Sequence, residues 1–498
     1  MAAQDATSCP ESAGAKEQPV PLRTPEEYKA SLRDGRTVYF RGRRVDDVTT
    51  HPVIGIAVNH ACIDYAMAEE PEFRDLAVVD GSDGPYSRYY KIPENAHDLL
   101  RRSALIEQAT ALGRTLVVLI KEIGTDALFG LMLVARQIDR ERGTDYYHRV
   151  FDYYKYCRDN DLALAVAQTD VKGDRSKGPA DQPHPDYYLH IAAERPDGIV
   201  VRGAKTHTSN TTHVNEVIVL PTRAMTERDA DYAVAFAIPV NTPGLKLIAS
   251  PFGAHIEPKD PFEFPITARH KMVETTTIFD DVFVPWSRVF LCREWQYAGP
   301  LALTFVEFHR FTAISYKLPL VDALVGAAQL LADYNGISRA AHVRDKLIRL
   351  ISYAETLRAL VHHAAEHCTV RDGIAVPHTL TVNMAKYHFA HNYHAAVQDV
   401  QDIAGGLLVT GPGAEDVASE ELGPLLERYY GGRAGVGGRQ RLRAMNFVKD
   451  LTSSDYGGYQ EVLAIHAEGS LEAEKLMIAR SYDADRSLRL VKQMAGIE

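Results

Sequence analysis

Residues 156–176 read YCRDNDLALAVAQTDVKGDRS, and the character of the chain changes within them, at about Asp161. Before this point most segments carry helical periodicity. After it the sequence alternates and is punctuated by turns. The last nine residues, Gln168 to Ser176, are expected to end a helix and to precede a run of strands. Seven of the nine are polar or charged. Lys172 and Arg175 supply cations, Thr169 and Ser176 hydroxyls, Asp170 and Asp174 acceptors, and Gly173 a permissive backbone. Such a loop can hold a polar, phosphate-bearing cofactor through side chains and backbone N–H groups. It can equally be a solvated connection, because short polar loops are common.

Downstream, DYYLHIAAERPDGIVVRGAKTHTS (186–209) alternates around a PDG turn and reads as a hairpin. HVNEVIVLPT, YAVAFAIPV and TTTIFDDVFVPWSRVFL read as strands, which predicts a β-rich middle domain over residues 161–295. From residue 296 to 498 helical patterns return. PLVDALVGAAQLLADYNG, AAHVRDKLIRLISYAETLRALVHHAAEHC and NMAKYHFAHNYHAAVQDVQDIAGG predict a bundle of long antiparallel helices. Upstream, residues 22–160 are expected to be mostly helical. RTPEEYKASLRD starts a helix with Thr24 as N-cap three residues before Glu27. TVYFRGRRVDDVTTHP predicts a small hairpin. Residues 95–138 are apolar on more than one face and predict buried helices. Residues 1–21 read as a disordered leader without the apolar core of a signal peptide. The fold class is α+β multidomain, in the order helical, β, helical.

The chain has 498 residues, 46% hydrophobic and 24% charged, which is ordinary for a globular protein. Its formal net charge of −11 disfavours nonspecific binding to nucleic acid or to an anionic membrane surface. No run of about 18 apolar residues suggests a transmembrane helix. The five cysteines (Cys9, Cys62, Cys157, Cys292, Cys368) are scattered and form no CxxC pair, which argues against a disulfide framework or a zinc site and fits the cytoplasm.

Several local constellations admit two readings. Nine of twenty histidines fall between His309 and His394, and His363 and His367 share a helix face, but no HEXXH accompanies them. An ordinary polar helix face is the expected outcome, and no metal site is assigned. Tyr146, Tyr147, Tyr153, Tyr154 and Tyr156 read as packing between domains. GGRAGVGG (431–438) lacks the ending of a P-loop and reads as a flexible loop. Gly405 and Gly406 form either a helix C-cap or a place where backbone approaches a ligand. His309 and Arg310, in VEFHRFTAISYK, are either core residues or, facing a cavity, a proton shuttle and its neighbour.

Taken in order, YCRDNDLALAVAQTDVKGDRS, DGIVVRGAKTHTS, PTRAMTERDADYAVAFA, FDDVFVPWSRVFLC, GAAQLLADYNG, HVRDKLI, QDIAGGLLVT and EKLMIAR resemble the 4-hydroxyphenylacetate 3-hydroxylase family, from about residue 22 onward. Within the family the chain is most similar to the 4-hydroxybutyryl-CoA dehydratase branch. The resemblance implies an acyl-CoA dehydrogenase-like fold: an N-terminal helical domain, a middle β-barrel domain and a C-terminal four-helix bundle. It also implies a homotetramer, a dimer of dimers, with FAD between β-domain and bundle. Carried over, the flavin loop is Gln168, Thr169, Lys172, Asp174, Arg175 and Ser176. Lys205 and Thr208 would line the strand beneath the cofactor. Gly405 and Gly406 would approach the flavin nucleotide from a second subunit.

The departures are informative. The dehydratase branch holds a 4Fe–4S cluster through three Cys and one His, and the aligned residues here are Val118, Glu122, Tyr316 and the retained His309. Its active-site Tyr aligns with Ala313, and the phenol-contacting His of the hydroxylase branch aligns with Val166. Without thiolates no iron–sulfur cluster is expected. The leading expectation is therefore a two-component monooxygenase. A separate flavin reductase would supply FADH2, and an aromatic or electron-rich small molecule would be oxygenated with O2. His309 would manage protons, Arg310 would steer an anion or anchor its helix, and Glu122 and Tyr316 would line the pocket, Glu122 with a raised pKa if buried. The alternative is a cluster-free dehydrogenase, isomerase or dehydratase acting on an acyl-CoA-type thioester. A third reading is a scaffold that no longer turns over.

Overall fold

A computed structural model describes residues 22–253 and 256–497. The expected leader lies outside the described residues. Where the description begins, Thr24 caps helix Pro25–Ser31. Its hydroxyl accepts the Glu27 N–H at 3.2 Å, and the Glu27 carboxylate accepts the Thr24 N–H at 2.9 Å.

Ten strands build two sheets: β1 (Val38–Phe40), β2 (Arg43–Arg44), β3 (Leu164–Ala167), β4 (His190–Arg195), β5 (Gly198–Lys205), β6 (Glu216–Val219), β7 (Val234–Pro239), β8 (Leu245–Pro251), β9 (Val273–Pro285) and β10 (Val289–Cys292). The six-stranded sheet runs β2-β1-β8-β9-β5-β4 and the four-stranded sheet β10-β7-β6-β3. Most pairs are antiparallel; β1–β8 and β3–β6 are parallel. Their inner faces share one apolar core, where Phe236 of β7 meets Phe279 of β9 edge-on at 6.0 Å. The expected barrel is corrected to two open sheets, since among the described residues no strand pairing closes either one. Each sheet buries its inner face against the other, so closure is not needed to remove that face from water.

The longer helices are α1 (Ala96–Leu112), α2 (Glu122–Arg142), α3 (Tyr146–Asp159), α4 (Ala298–Tyr334), α5 (Ala341–Glu366), α6 (Thr379–Ala404), α7 (Gly438–Thr452), α8 (Asp455–His466), α9 (Leu471–Ser481) and α10 (Ala484–Ala495). Helices α4, α5 and α6 pack on one another, and α1 and α2 also pack on α4. Helix α4 is long and apolar enough to cross a membrane by length and composition. It buries 24 of its 37 residues inside the protein, which accounts for its apolarity.

The apolar run 95–138 is broken between Gly113 and Lys121, where Arg114, Thr115 and Leu119 take positive φ (52°, 75° and 54°). This segment is held from the β side: the Leu164 N–H donates to the Ile120 carbonyl at 2.6 Å, and the Asn210 amide donates to the Val118 carbonyl at 2.9 Å. Helix α2 then crosses β3 so closely that a Cβ at Gly124 would lie 2.2 Å from the Leu164 Cβ. The two elements can touch there only because that residue is glycine.

Candidate functional site

The polar loop follows strand β3, not a helix as expected; α3 already ends at Asp159. The run LALAVA is short and apolar, and period alone does not separate a buried strand from a helix end. All four residues of β3 are buried.

The inner half of the loop is clamped. Asp170 and Lys205 form an ion pair of 2.8 Å, each side chain 2% exposed. The Lys205 ammonium also donates to the carbonyls of Gln168 (2.8 Å) and Leu220 (3.0 Å). Burial lowers the Lys205 pKa, and Asp170 opposes that shift. The Thr222 hydroxyl bonds the Gln168 carbonyl and the Asp170 carboxylate. Lys205 was expected to line a cofactor surface. Instead it uses its donors within the protein and fixes the loop. Thr208 is likewise fully buried, bonded to the Thr275 carbonyl at 3.1 Å and the Thr277 hydroxyl at 2.6 Å. Lys205 thus holds the loop from below, while Thr208 ties its own segment to β9.

The outer half is open. Lys172 and Gly173 take consecutive positive φ values of 76° and 49°. Asp174 organises the turn, its Oδ1 accepting from the Ser176 N–H (3.0 Å) and hydroxyl (2.7 Å), while Gln182 brackets its backbone. Lys172 is half-buried. Burial lowers its pKa, and nearby Arg175 and Arg223 push it the same way. Among the described residues, Lys172, Arg175 and Arg223 draw no ion pair. Three unpaired cations around a left-handed turn, with Gln168 and Thr169 half-buried at its inner edge, suit the phosphates of a nucleotide cofactor. Arg223 was missed in the sequence; it enters from the segment after β6.

Gly405 and Gly406 end α6. Gly405 has φ +79° and its N–H donates to the Gln401 carbonyl at 2.9 Å. A Cβ at either glycine would meet nothing within 4 Å, so within one chain they are an exposed C-cap. No contact among the described residues brings them to the loop at 168–176.

The second group of residues is built on α4. His309 is buried and stacks on Phe305, ring centroids 5.2 Å apart. Its Nδ1 faces Asp126 Oδ2 of α2 at 3.2 Å. Asp126 Oδ1 accepts from Arg102 at 2.7 Å and from the Thr312 hydroxyl at 3.0 Å. Arg102 in turn donates to the Glu122 carbonyl at 2.8 Å. A carboxylate accepts from the ring, so the Nδ1 that faces Asp126 carries a proton and Nε2 is the nitrogen left to face another partner. Asp126 and Arg102 were not singled out in the sequence. The available signal was a charged residue within the apolar run of α2, GTDALFGLMLV.

Glu122 is fully buried at the start of α2, its carboxylate accepting from the N–H groups of Leu119 (3.3 Å) and Lys121 (3.1 Å). Burial raises its pKa, as expected, against those backbone bonds and Arg102. Arg310 faces the other way. It donates to the Glu468 carbonyl at 3.1 Å and to Asn383, and lies 4.0 Å from Glu474. Tyr316 donates to the Glu468 carboxylate. His309 and the Glu122 backbone carbonyl are therefore linked through Asp126 and Arg102, while Arg310 and Tyr316 meet at Glu468, in the turn before α9. A cleft of about 730 Å³ lies between α1, α4 and α7, lined by Ala104, Gln108, Thr115, Pro319, Ala323 and Phe447. It includes none of the expected residues.

Among the described residues no group of three or more His, Cys, Asp or Glu is arranged to hold a metal ion. Val118, Glu122 and Tyr316 offer no thiolate beside His309, so this donor set does not fit a cubane cluster.

The family model for the 4-hydroxyphenylacetate 3-hydroxylase N terminal matches residues 24–291, and that for the C terminal matches residues 298–496. The chain belongs to the 4-hydroxyphenylacetate 3-hydroxylase family. It is similar to the 4-hydroxybutyryl-CoA dehydratase/vinylacetyl-CoA-Delta-isomerase of Clostridium aminobutyricum, 32% identical over 96% of this chain and 100% of that protein. It is similar also to the 4-hydroxyphenylacetate 3-monooxygenase oxygenase component of Thermus thermophilus, 29% identical over 88% of this chain and 90% of that one. A crystal structure of the oxygenase component of 4-hydroxyphenylacetate 3-monooxygenase complexed with FAD and 4-hydroxyphenylacetate superimposes with a TM-score of 0.88, at 25% identity, covering 95% of this chain and 98% of that one. This family member thus shares its fold with a flavin-binding oxygenase and its highest identity among these three with a dehydratase.

Proposed function

We propose that this chain is the oxygenase component of a two-component, flavin-dependent monooxygenase that hydroxylates an aromatic or electron-rich small molecule. The observation that carries this reading is the open basic mouth of Lys172, Arg175 and Arg223 combined with a thiolate-free site at His309. FADH2, delivered by a separate reductase, would supply the reducing equivalents that activate O2. The chain's own residues do the rest. Lys172, Arg175 and Arg223 hold the cofactor phosphates, with Gln168, Thr169, Asp174 and Ser176 shaping the loop. The Asp170–Lys205 clamp keeps that loop in place. Asp126 orients His309 so that Nε2 can accept a proton from an acidic substrate hydroxyl. Burial around Glu122 and His309 keeps bulk water away. A homotetramer in the cytoplasm, without an iron–sulfur cluster, completes the proposal.

The test is turnover with reduced FAD under ¹⁸O₂: one labelled oxygen in the product supports the reading, and unlabelled product rejects it. A second reading, a cluster-free dehydrogenase, isomerase or dehydratase of an acyl thioester, is favoured by the 32% identity to the dehydratase along the whole chain. Tight, yellow flavin in the purified protein and turnover of an acyl-CoA without O2 would select it.

A further inference from the structure

Three basic side chains converge inside the helical bundle. Arg310 and Lys317 stand seven residues apart on α4, and so on one face, about 100° around from His309 and Tyr316. Lys386 comes from α6. All three are buried. The group they surround is the chain's own carboxylate. Glu468, in the turn between α8 and α9, accepts from Lys317 with each oxygen at 3.1 Å and lies 3.7 Å from Lys386. Tyr316 donates to the same carboxylate, and Arg310 donates to the Glu468 backbone carbonyl.

The turn is strained to deliver this side chain. Glu468 has φ +54°, a left-handed conformation that L side chains avoid, and Gly469 follows at φ +110°. A Cβ at Gly469 would lie 2.6 Å from the Arg310 guanidinium, so the turn passes directly over that cation. Behind it, Glu474 of α9 is fully buried, and neither of its carboxylate oxygens has a hydrogen-bond partner. Lys386 also donates to the Ala464 carbonyl of α8 at 2.9 Å, and Asn383 of α6 receives Arg310. The arm beyond this turn buries little of itself: α9 packs on α6 but buries only Glu474, and α10 buries nothing.

We propose that Arg310, Lys317, Lys386 and Tyr316 form an anion subsite for a carboxylate-bearing substrate, and that Glu468 is a displaceable plug which fills it until that carboxylate arrives. Removal of Glu468 leaves Arg310, Lys317 and Lys386 facing one carboxyl, Glu474, and an incoming carboxylate takes the place of the lost acceptor. Tyr316 links the subsite to the His309 face of the same helix, so the bound molecule is anchored one helix face away from the proton-handling imidazole. The inference deepens the proposed function by naming the substrate's charge, and it rests on that reading for the chemistry that follows binding. Displacement frees the turn, and the C-terminal arm loosens with it.

The probe is phenylacetate, a carboxylate without a phenolic hydroxyl, titrated calorimetrically into the full chain, with neutral phenylacetamide as control. Glu468→Ala and the size-preserving Glu468→Gln are both expected to bind phenylacetate at least about tenfold more tightly than the parent, with no gain for phenylacetamide. Adding Lys317→Met should abolish the gain. In the unsubstituted protein, saturating phenylacetate should speed amide exchange across residues 471–495. Equal affinity in the parent and in a folded Glu468 variant overturns the proposal, as does an equal gain for the amide. Bound phenylacetate without faster exchange in the arm overturns the displacement. FAD binding is measured on the same samples: intact FAD binding without the phenylacetate gain rejects the subsite alone, whereas no FAD binding in the parent rejects the flavin reading and leaves the subsite standing on its own titration.

Discussion

Asp126 and His309, 183 positions apart, face each other at 3.2 Å across the packed pair α2 and α4, and the same carboxylate is shared with Arg102 and Thr312. The imidazole is thus oriented by a group that is itself held from two other sides. His309→Ala is expected to lower turnover by about 10²–10⁴-fold, the usual worth of a positioned acid–base group, with FAD affinity nearly unchanged. Equal losses in both would assign His309 to structure. Asp126→Asn, which keeps shape but not charge, should lower kcat more than FAD binding. Asp126→Ala leaves the buried Arg102 charge unpaired and should cost about 3–5 kcal/mol of stability, checked by urea unfolding.

The Asp170–Lys205 pair makes a separable prediction. Both side chains are buried, and removing one partner leaves a bare charge. Lys205→Met or Asp170→Leu alone should cost about 3–5 kcal/mol, while the double variant should recover much of that loss. Flavin binding should weaken in each single variant because the loop loses its anchor, not because a cofactor contact is lost. A single variant that loses FAD binding while amide exchange over residues 168–176 stays unchanged would contradict this.

The open half of the loop should behave oppositely. Arg175→Ala, Arg223→Ala and Lys172→Ala are expected to leave the melting temperature nearly unchanged. Each should weaken FAD binding by about tenfold or more, as a lost hydrogen bond to a charged group contributes roughly 1.5–3 kcal/mol. The FAD affinity of the parent should also fall with added salt, and less steeply in the variants. Salt-independent binding would place the phosphates elsewhere.

The buried cluster at Glu474 and Lys386 predicts a shallow minimum of stability against pH. Burial raises Glu474 from 4.5 to about 7, so from pH 4.5 to 7 the folded chain holds a proton that the unfolded chain has released. Stability therefore falls as pH rises through that window. Burial lowers Lys386 from 10.5 to about 8, so between pH 8 and 10.5 the unfolded chain holds the extra proton and stability rises with pH. Glu474→Gln should flatten the acidic limb and, by removing the charge that holds the Lys386 pKa up, extend the alkaline limb to lower pH, as read from urea midpoints across pH 4.5–10.5.

Iron and acid-labile sulfide should both be absent from protein purified without oxygen. About four irons per subunit, the content of one cubane cluster, would overturn the thiolate-free reading of Val118, Glu122 and Tyr316.

Much of the architecture was legible because it is local. The Thr24 capping box, the PDG hairpin of β4 and β5, and the long helices α5 and α6 each announce themselves within a few turns of chain. The errors fell where local patterns are degenerate. LALAVA reads as a helix end until β6 pairs with it in parallel. The apolar stretch 95–138 gives no sign of its break, because the segment with positive φ at Arg114, Thr115 and Leu119 is held by distant partners, the β side gripping the Val118 and Ile120 carbonyls. Two open sheets and a barrel share the same alternation, and only the pairing distinguishes them.

The residue order alone was enough to assign the family, the helical–β–helical succession and a polar, cation-bearing loop at 168–176, because periodicity, turn chemistry and ordered motifs are properties of neighbouring residues. It could not say which charges are available. Lys172 and Lys205 look alike in sequence, yet one stands open beside Arg175 and Arg223 while the other is locked to Asp170. Arg310 and His309 are adjacent, yet one is bound by Glu468 and Asn383 and the other by Asp126. A buried charge persists only with a partner. In this fold those partners come from residues as far as the 186 positions between Asp126 and Thr312, brought together by the packing of α2, α4, α6 and the C-terminal arm.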